Sequence, residues 1–394
     1  MNPSKELWIT KFFKLSDPSF FKQFTEEQFY EKIRETGFVY GFTTKTIQPV
    51  FHTFELTQEE ITKIVLLEAL FGTYLFTNSN YNFSEFTKLA EDFYQKINAV
   101  QTDSYFSFIK FRTQKAFASL EKILNERTNR TSNYIDKTFA YDLSNFLIFT
   151  DVLCFKRYLL NNTNILNYYK YLELTISQLV VISFKQKQNI SRYDLKIQEI
   201  LQTSLKYSTT NNLSTNLESL DLSNIKTIYG KNYIADIALM VLWNDEKIDK
   251  NEFRFIIKLY QKLQLSKHNL KNSLQFMIRF IHNHKNEIPY FQFTHPLKKI
   301  YKKTNKTIAL LLNRNKKSII KELENNKLLM QLLVKATYSS LSKTEKVQLK
   351  NQFIELGKTI PAFTIFLIPG GSLLLPIVIK LLPEIIPNSF NENK

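Results

Sequence analysis

Residues that interrupt regular helices are scarce in this chain and concentrated near one end. Glycine occurs 7 times and proline 10 times among 394 residues, and four of the prolines and two of the glycines lie between Pro369 and Pro387. Because sandwiches and barrels of many short strands need frequent turn residues, this distribution favours long helices over most of the chain. The sequence therefore predicts an all-α fold, with multi-helix bundle domains followed by a C-terminal hydrophobic helical segment broken by proline and glycine.

Local signals place several of these helices. Thr57 and Glu60 have the spacing of a capping box, in which each side chain satisfies a free backbone amide of the first turn, and apolar residues follow at helical spacing. Ser342 and Glu345 repeat the pattern near the C-terminus. Further helices are predicted at residues 20–36, 84–99, 105–125, 134–160, 165–187 and 193–207.

A polar stretch rich in serine, threonine and asparagine, residues 208–224, is the best internal boundary in the sequence. It suggests a division of the chain into five parts. We predict an N-terminal helical domain at 1–207, a linker at 208–228, a helical unit at 229–290, basic amphipathic helices at 291–358 and a C-terminal segment at 359–394.

The helical unit after this linker contains a short acidic turn between two helices. A buried helix is predicted at residues 233–243, and an amphipathic helix follows the turn. This arrangement resembles the TerB-like helical domains associated with tellurite resistance. The residues that carry the resemblance are Asp245, Ile248, Asp249 and Glu252.

The carboxylates of this turn raise the question of a metal site. Asp245, Asp249 and Glu252 are candidate oxygen ligands, but a calcium loop also needs a glycine for its sharp turn, and Glu246 and Lys247 stand in this loop instead. Asp249 is well placed to cap the following helix, with Glu252 completing a capping box. We interpret these residues as helix caps, keep the three carboxylates as weak metal candidates, and predict no metal and no cofactor.

The chain is strongly basic, with a formal net charge of +17. No acidic residue lies between Glu287 and Glu322, and apolar residues recur there at three-to-four spacing with basic residues on their flanks. Such a helix can lie on an anionic lipid surface or contact nucleic-acid phosphates. The alternatives are a solvated lysine face on a packed helix and a lysine excess caused by compositional drift. The predicted contact residues are Lys298, Lys299, Lys302, Lys303, Lys306, Arg314, Lys316 and Lys317.

Residues 359–379 carry no charge. Their number suits a bilayer crossing, which needs about 20 apolar residues. Pro369, Gly370 and Gly371 interrupt the middle of the segment, so a kinked single pass, a re-entrant hairpin and a hairpin buried on the soluble part all stay open. The residues assigned to the predicted membrane segment are Pro361, Phe363, Phe366, Pro369, Gly370, Gly371, Leu375, Pro376, Lys380, Pro383 and Pro387.

The spacing of prolines and apolar residues in this region resembles the Letm family of membrane proteins. The matching residues are Pro361, Pro369, Leu375, Pro376, Lys380, Leu381, Pro383, Pro387 and Phe390. The resemblance implies membrane association, a role in cation–proton homeostasis and a ribosome-binding-like domain after the segment. The chain departs from the family at Gly370 and Gly371, and its end at Lys394 predicts that most of the ribosome-binding-like domain is missing. The whole organisation is similar to bacterial Letm-related biofilm-associated proteins.

Signatures of catalysis are weak. Gly357, Lys358 and Thr359 resemble the end of a phosphate-binding loop, but the required earlier glycine is absent and a helix precedes them. His282 and His284 point apart on a helix, and the single cysteine, Cys154, lies in an apolar run where a buried role is expected. We predict no catalytic residues, no small-molecule substrate and a protein that is not an enzyme.

These observations predict a non-enzymatic, membrane-associated protein of the Letm-related type, acting as a scaffold or accessory in cation homeostasis or a biofilm-linked envelope function. The expected location is the bacterial inner membrane with the bulk of the chain cytoplasmic, since the N-terminus lacks a signal peptide and basic residues precede the segment. The expected partners are membrane lipid, the ribosome or RNA, and a second copy of the chain. The alternative is a soluble cytoplasmic interaction protein that contacts ribosome or RNA.

Overall fold

The computed structural model describes residues 1–78, 82–98, 119–128, 146–160, 164–187, 216–243, 248–284, 326–339 and 341–359, together with isolated positions between them. The chain divides into two compact units. The first unit comprises Met1–Arg130 and Thr138–Phe293, and the second comprises Thr131–Lys137 and Thr294–Lys394.

Every regular element within the described ranges is a helix, which confirms the all-α prediction. The first unit contains α1 (Trp8–Leu15), α2 (Pro18–Lys22), α3 (Glu26–Glu35), α4 (Gln58–Thr77), α5 (Phe83–Asn98), α6 (Leu120–Thr128), α7 (Phe149–Leu159), α8 (Ile165–Phe184), α9 (Ile228–Leu242), α10 (Lys250–Lys262), α11 (Lys267–His284) and two 3-10 helices, Phe38–Tyr40 and Pro49–Thr53. The second unit contains α12 (Lys327–Tyr338) and α13 (Lys343–Thr359).

The predicted capping boxes form. Thr57 Oγ1 accepts the amide of Glu60, whose carboxylate in turn accepts the amide of Thr57 at 2.9 Å. Ser342 and Glu345 make the same reciprocal pair at the start of α13. These local hydrogen bonds fix where the helices begin, because the first amides of a helix have no partner within it.

The predicted helix at residues 20–36 is two helices instead. Asp17 and Pro18 start α2, and its hydrogen-bonded turns end at Lys22. Thr25 and Gln28 then form a further capping box that begins α3 and was not predicted. The predicted helices at 84–99 and 165–187 correspond to α5 and α8, whereas residues 105–118 and most of residues 193–207 lie outside the described residues.

Helix α4 lies at the centre of the first unit. From Glu60 to Leu75 every residue except Ile61 is buried, because α2, α3, α6 and α7 pack around this helix. A helix that is apolar around most of its circumference is expected to be enclosed in this way.

Helix α9 belongs to the same hydrophobic core. It packs against α8 and α3, and α10 and α11 pack against it in turn. Residues on both sides of the predicted linker at 208–228 therefore share one core. The position of α11 on α3 and α9 fixes which of its faces is open to solvent.

Candidate functional site

Most residues of the predicted anionic-partner site lie outside the described residues: Lys298, Lys299, Lys302, Lys303, Lys306 and Lys316. Arg314 and Lys317 are described at helical positions. The side chain of Lys317 is exposed and that of Arg314 is half-buried. Lys317 is thus open to a partner, and the amphipathic helix as a whole stays a prediction.

The predicted membrane segment, from Pro361 to Pro387, also lies outside the described residues. Within the part of the chain that the structure describes, no helix is both long enough and apolar enough to cross a bilayer.

Two of the carboxylates weighed as metal ligands are helix caps. Asp249 Oδ1 accepts the amides of Asn251 at 2.6 Å and Glu252 at 2.9 Å, and Glu252 Oε2 accepts the amide of Asp249 at 2.9 Å. This capping box at the start of α10 agrees with the interpretation drawn from the sequence. Asp245 lies outside the described residues, within which no group of three His, Cys, Asp or Glu side chains has the proximity to hold a metal ion.

In the second unit, α12 and α13 pack together as a helical hairpin, residues 326–359, called here the C-terminal hairpin. Asn326 caps α12 by accepting the amide of Leu329 and also donates to Gln352 Oε1 on α13 at 2.6 Å. Lys335 Nζ donates to Glu345 Oε1 at 2.6 Å, across the turn between the helices. The buried apolar residues of this hairpin are Leu329, Leu332, Leu333, Leu341 and Leu349.

Electrostatics at the turn of the C-terminal hairpin favour a charged carboxylate. The hydrogen bond from Lys335, together with those from the amide and hydroxyl of Ser342, lowers the pKa of Glu345 to about 2. Glu345 therefore stays ionised at any physiological pH, and the same side chain serves both the capping box and the ion pair. One residue thus sets the start of α13 and its position on α12.

The outer surface of the C-terminal hairpin combines cationic and apolar side chains. Lys327, Lys343 and Lys346 are exposed, and so are Leu328 and Val347, the latter at 58%. Exposed lysines of this kind can contact phosphate groups as point charges, with the stem packing on apolar surface. The hairpin is thus chemically suited to an anionic partner.

The described residues include two buried clusters of charged side chains and tyrosine hydroxyls, which were not predicted from the sequence. Arg34 on α3 pairs with Asp236 on α9 at 2.8 Å, and the Tyr30 hydroxyl donates to the same carboxylate at 2.6 Å. A second cluster pairs Arg127 on α6 with Asp151 on α7 at 2.6 Å and receives the Tyr94 hydroxyl. A charged residue on an otherwise apolar helix, as at Asp236, indicates a buried partner, although the sequence does not identify it.

Burial and neighbouring charges shift the pKa values of buried side chains in the first unit. Burial alone would lower the pKa of Arg34, but the Asp236 carboxylate raises it above its usual range, so the guanidinium stays charged. Burial likewise raises the pKa of the Tyr30 hydroxyl well above its usual value. Cys154 is fully buried, as predicted, and burial raises the pKa of its thiol, which disfavours the reactive thiolate.

Comparison with known proteins bears on the C-terminal end of the chain. Residues 341–394 match a family model described as LETM1-like, RBD. No curated protein and no solved structure matches the chain. The match begins just before α13, includes the Ser342–Glu345 capping box and extends through the uncharged segment at 359–379. It supports the predicted resemblance to the Letm family over these residues, whereas the TerB-like and biofilm-associated resemblances stay predictions.

Proposed function

We propose that this is a non-enzymatic, membrane-associated protein of the Letm-related type, whose residues 341–394 include a ribosome contact on the C-terminal hairpin and a membrane segment at 359–379. The observation that carries the proposal is the similarity of these residues to the LETM1-like, RBD model, in which RBD denotes a ribosome-binding domain. The exposed lysines of the C-terminal hairpin add support, because ribosomal RNA presents phosphate groups to any partner.

Two features of the sequence support the membrane part of the proposal. The matched region contains 21 consecutive uncharged residues, 359–379, and the acid-free basic stretch between Glu287 and Glu322 precedes it. An apolar segment with lysines on its N-terminal side is expected to keep that side in the cytoplasm. We therefore place the bulk of the chain at the cytoplasmic face of a bacterial inner membrane, as a scaffold or accessory in cation homeostasis or in an envelope function linked to biofilms.

Ribosome contact is tested by co-sedimentation of the full chain with purified bacterial ribosomes over a range of salt concentrations. Lys343→Glu combined with Lys346→Glu reverses two exposed charges of the C-terminal hairpin. We expect binding to weaken at least about tenfold and the salt dependence to become shallower, because each lost phosphate contact lowers the slope by about one.

The matched control is Lys11→Glu combined with Lys14→Glu, which changes the same number of exposed charges on α1 in the first unit. Binding of this control should stay close to that of the unchanged chain. If both double variants weaken binding equally, attraction is a property of the net charge and the ribosome part of the proposal is wrong.

Membrane association is tested by fractionation with high-salt and alkaline carbonate washes. Ile365→Lys combined with Leu374→Lys places a charge in each half of the uncharged segment, where one lysine costs about 3 kcal/mol at a bilayer centre. We expect the unchanged chain to stay with the membrane and this variant to be released by carbonate.

The control for fractionation is Asn391→Lys combined with Asn393→Lys, which adds the same charge beyond the segment and should leave membrane retention intact. If salt alone releases the unchanged chain, the segment does not insert. The alternative function, a soluble protein that contacts ribosome or RNA, would then replace the proposed one.

A further inference from the structure

Helix α11 carries an open cationic surface in the first unit, apart from the residues of the proposed function. Six exposed residues form this surface, called here the α11 cationic face. They are Lys267, Lys271, Gln275, Ile278, Arg279 and His282. Their spacing of three, four and eight residues places them on one side of the helix.

The opposite side of α11 is fixed in the core. Met277, Phe280 and Ile281 are buried there, and the Phe280 ring lies 4.9 Å from the ring of Tyr40. Asn269 donates to Glu27 on α3 at 2.8 Å, which ties the first turns of α11 to its neighbour. The cationic face is therefore presented by a helix that cannot rotate without breaking the core.

No acidic residue of α11 itself balances the charge on this face. Residues 253–286 include no aspartate or glutamate, and the nearest preceding acid, Glu252, is buried in the capping box of α10. Within the described residues, Lys267, Lys271 and Arg279 form no ion pair. Unpaired cations that a rigid helix holds together complement an anionic surface.

An apolar side chain within the face distinguishes lipid from nucleic acid. Ile278 is 48% exposed and lies next to Arg279, among the basic residues. An aliphatic side chain gains nothing from phosphate groups in water, but it becomes buried when it enters the boundary between headgroups and acyl chains. The face extends about 18 Å from Lys267 to Arg279 at 1.5 Å per residue, which suits contact with a flat surface.

We propose that the α11 cationic face binds the headgroups of anionic phospholipids and holds the first unit against the membrane. This contact goes beyond the proposed function, since it uses neither residues 341–394 nor the basic stretch before them. Because each cation near an anionic bilayer contributes about fivefold to binding, the three basic side chains give a weak and salt-sensitive contact.

A fluorescent label on the face of the full chain reads this contact directly. The only native cysteine, Cys154, is buried, so Gln275→Cys provides one accessible thiol for an environment-sensitive fluorophore. With vesicles of phosphatidylcholine and phosphatidylglycerol, we expect a blue shift that vesicles of phosphatidylcholine alone do not produce. A label at Gln95→Cys, exposed on α5, is the matched control and should not respond.

Neutralising the face tests its charge. Lys271→Gln with Arg279→Gln in the labelled chain should lower the equilibrium constant for contact of the face with the anionic surface by about 25-fold, seen as loss of most of the blue shift, whereas Lys11→Gln with Lys14→Gln should leave the shift unchanged. Sedimentation of the same samples separates this inference from the proposed function. If the chain pellets with anionic vesicles while the Gln275→Cys label stays in water, the face is not a lipid contact, although membrane association stands.

Two further outcomes would overturn the inference. An equal shift with neutral vesicles would mean that headgroup charge is not recognised. A response to single-stranded RNA, with none to anionic vesicles, would assign the face to nucleic acid instead of lipid.

Discussion

The guanidinium of Arg34 and the carboxylate of Asp236 form a buried ion pair between residues 202 positions apart. Arg34 Nε lies 2.8 Å from Asp236 Oδ2, and the two side chains are 3% and 0% exposed. The Arg34 guanidinium also lies over the rings of Tyr30 and Phe276, at 5.0 and 5.2 Å from their centroids. One cation thus joins α3, α9 and α11, and its position depends on a single carboxylate.

We predict that Asp236→Leu strongly destabilises the first unit. Loss of the carboxylate leaves the guanidinium buried without its counter-charge, which should lower the free energy of unfolding by about 3–5 kcal/mol. Urea denaturation followed by tryptophan fluorescence measures this change, because both tryptophans, Trp8 and Trp243, lie in the first unit.

The control for this prediction is Glu218→Gln, which removes the exposed pair with Lys258 and should leave the unfolding free energy close to that of the unchanged chain. Arg34→Met combined with Asp236→Leu should be less destabilised than Asp236→Leu alone, since no unpaired charge remains. A double variant as unstable as the single one would contradict this account of the pair.

Gly72 on α4 has no space for a side chain. A Cβ atom there would lie 2.3 Å from Cζ and 2.6 Å from Cε1 of Phe29, on the neighbouring α3. Helix propensity favours alanine over glycine by about 1 kcal/mol, but overpacking of a filled core costs about 1–3 kcal/mol. We therefore predict that Gly72→Ala lowers the unfolding free energy, by up to about 2 kcal/mol in the same denaturation experiment.

Gly230→Ala is the matched control, because Gly230 is also helical but a Cβ there would lie 3.2 Å from Ile225 and 3.3 Å from Thr227. This variant should be neutral or slightly stabilised. Stabilisation by both substitutions would mean that Phe29 moves aside and that the packing of α3 on α4 is looser than the structure indicates.

Glu68 makes the first unit sensitive to pH. Its carboxyl oxygens accept the amides of Ile47 and Gln48, each at 2.8 Å, and the side chain is fully buried. Burial raises the pKa of Glu68 to about 8, although the backbone hydrogen bonds oppose the rise. The folded state therefore retains a proton on this carboxyl at pH values where the unfolded chain has lost it.

The direction of the pH dependence of stability follows from this difference in the protonation of Glu68. The contribution of Glu68 to stability is fully present below the unfolded pKa of 4.5 and is lost as the pH rises towards 8, by up to about 1.4 kcal/mol per pH unit. Denaturation midpoints measured between pH 5 and pH 8 give this loss of stability. Glu68→Gln should make the midpoint less dependent on pH. Glu6→Gln, at an exposed position, should leave the pH dependence of the midpoint unchanged. An equal slope of midpoint against pH in both variants would contradict the assignment of this effect to Glu68.

Local hydrogen bonding was readable from the sequence, and distant pairing was not. The capping boxes at Thr57, Asp249 and Ser342 were predictable because each depends on two residues three positions apart. The partner of Asp236 lies 202 positions away, and nothing in one sequence marks Arg34 among the other basic residues.

In the candidate functional site, too, local sequence patterns were predictable and contacts between helices were not. The Letm resemblance was found from the proline spacing that begins at Pro361, and the family match supports it. The ion pair between Lys335 and Glu345 requires the turn between α12 and α13 to bring two helices together, which residue spacing alone does not specify. The α11 cationic face likewise depends on knowing which side of α11 packs on α3 and α9.

Substitutions at Asp249 distinguish a helix cap from a metal ligand. Its carboxylate accepts the amides of Asn251 and Glu252, so Asp249→Ala should lower the unfolding free energy by about 1 kcal/mol. Asn is as good a cap as Asp, and Asp249→Asn should therefore stay close to the unchanged chain.

Thermal unfolding with calcium and with a chelator decides between the two roles of Asp249. A cap acts through backbone amides alone, so we expect the same Tm in both conditions for the unchanged chain and for both variants. If Asp249 were a metal ligand, calcium would bind the folded state preferentially and raise the Tm of the unchanged chain. Loss of that rise in Asp249→Asn, which keeps the cap but removes the charge, would establish a metal site at Asp249.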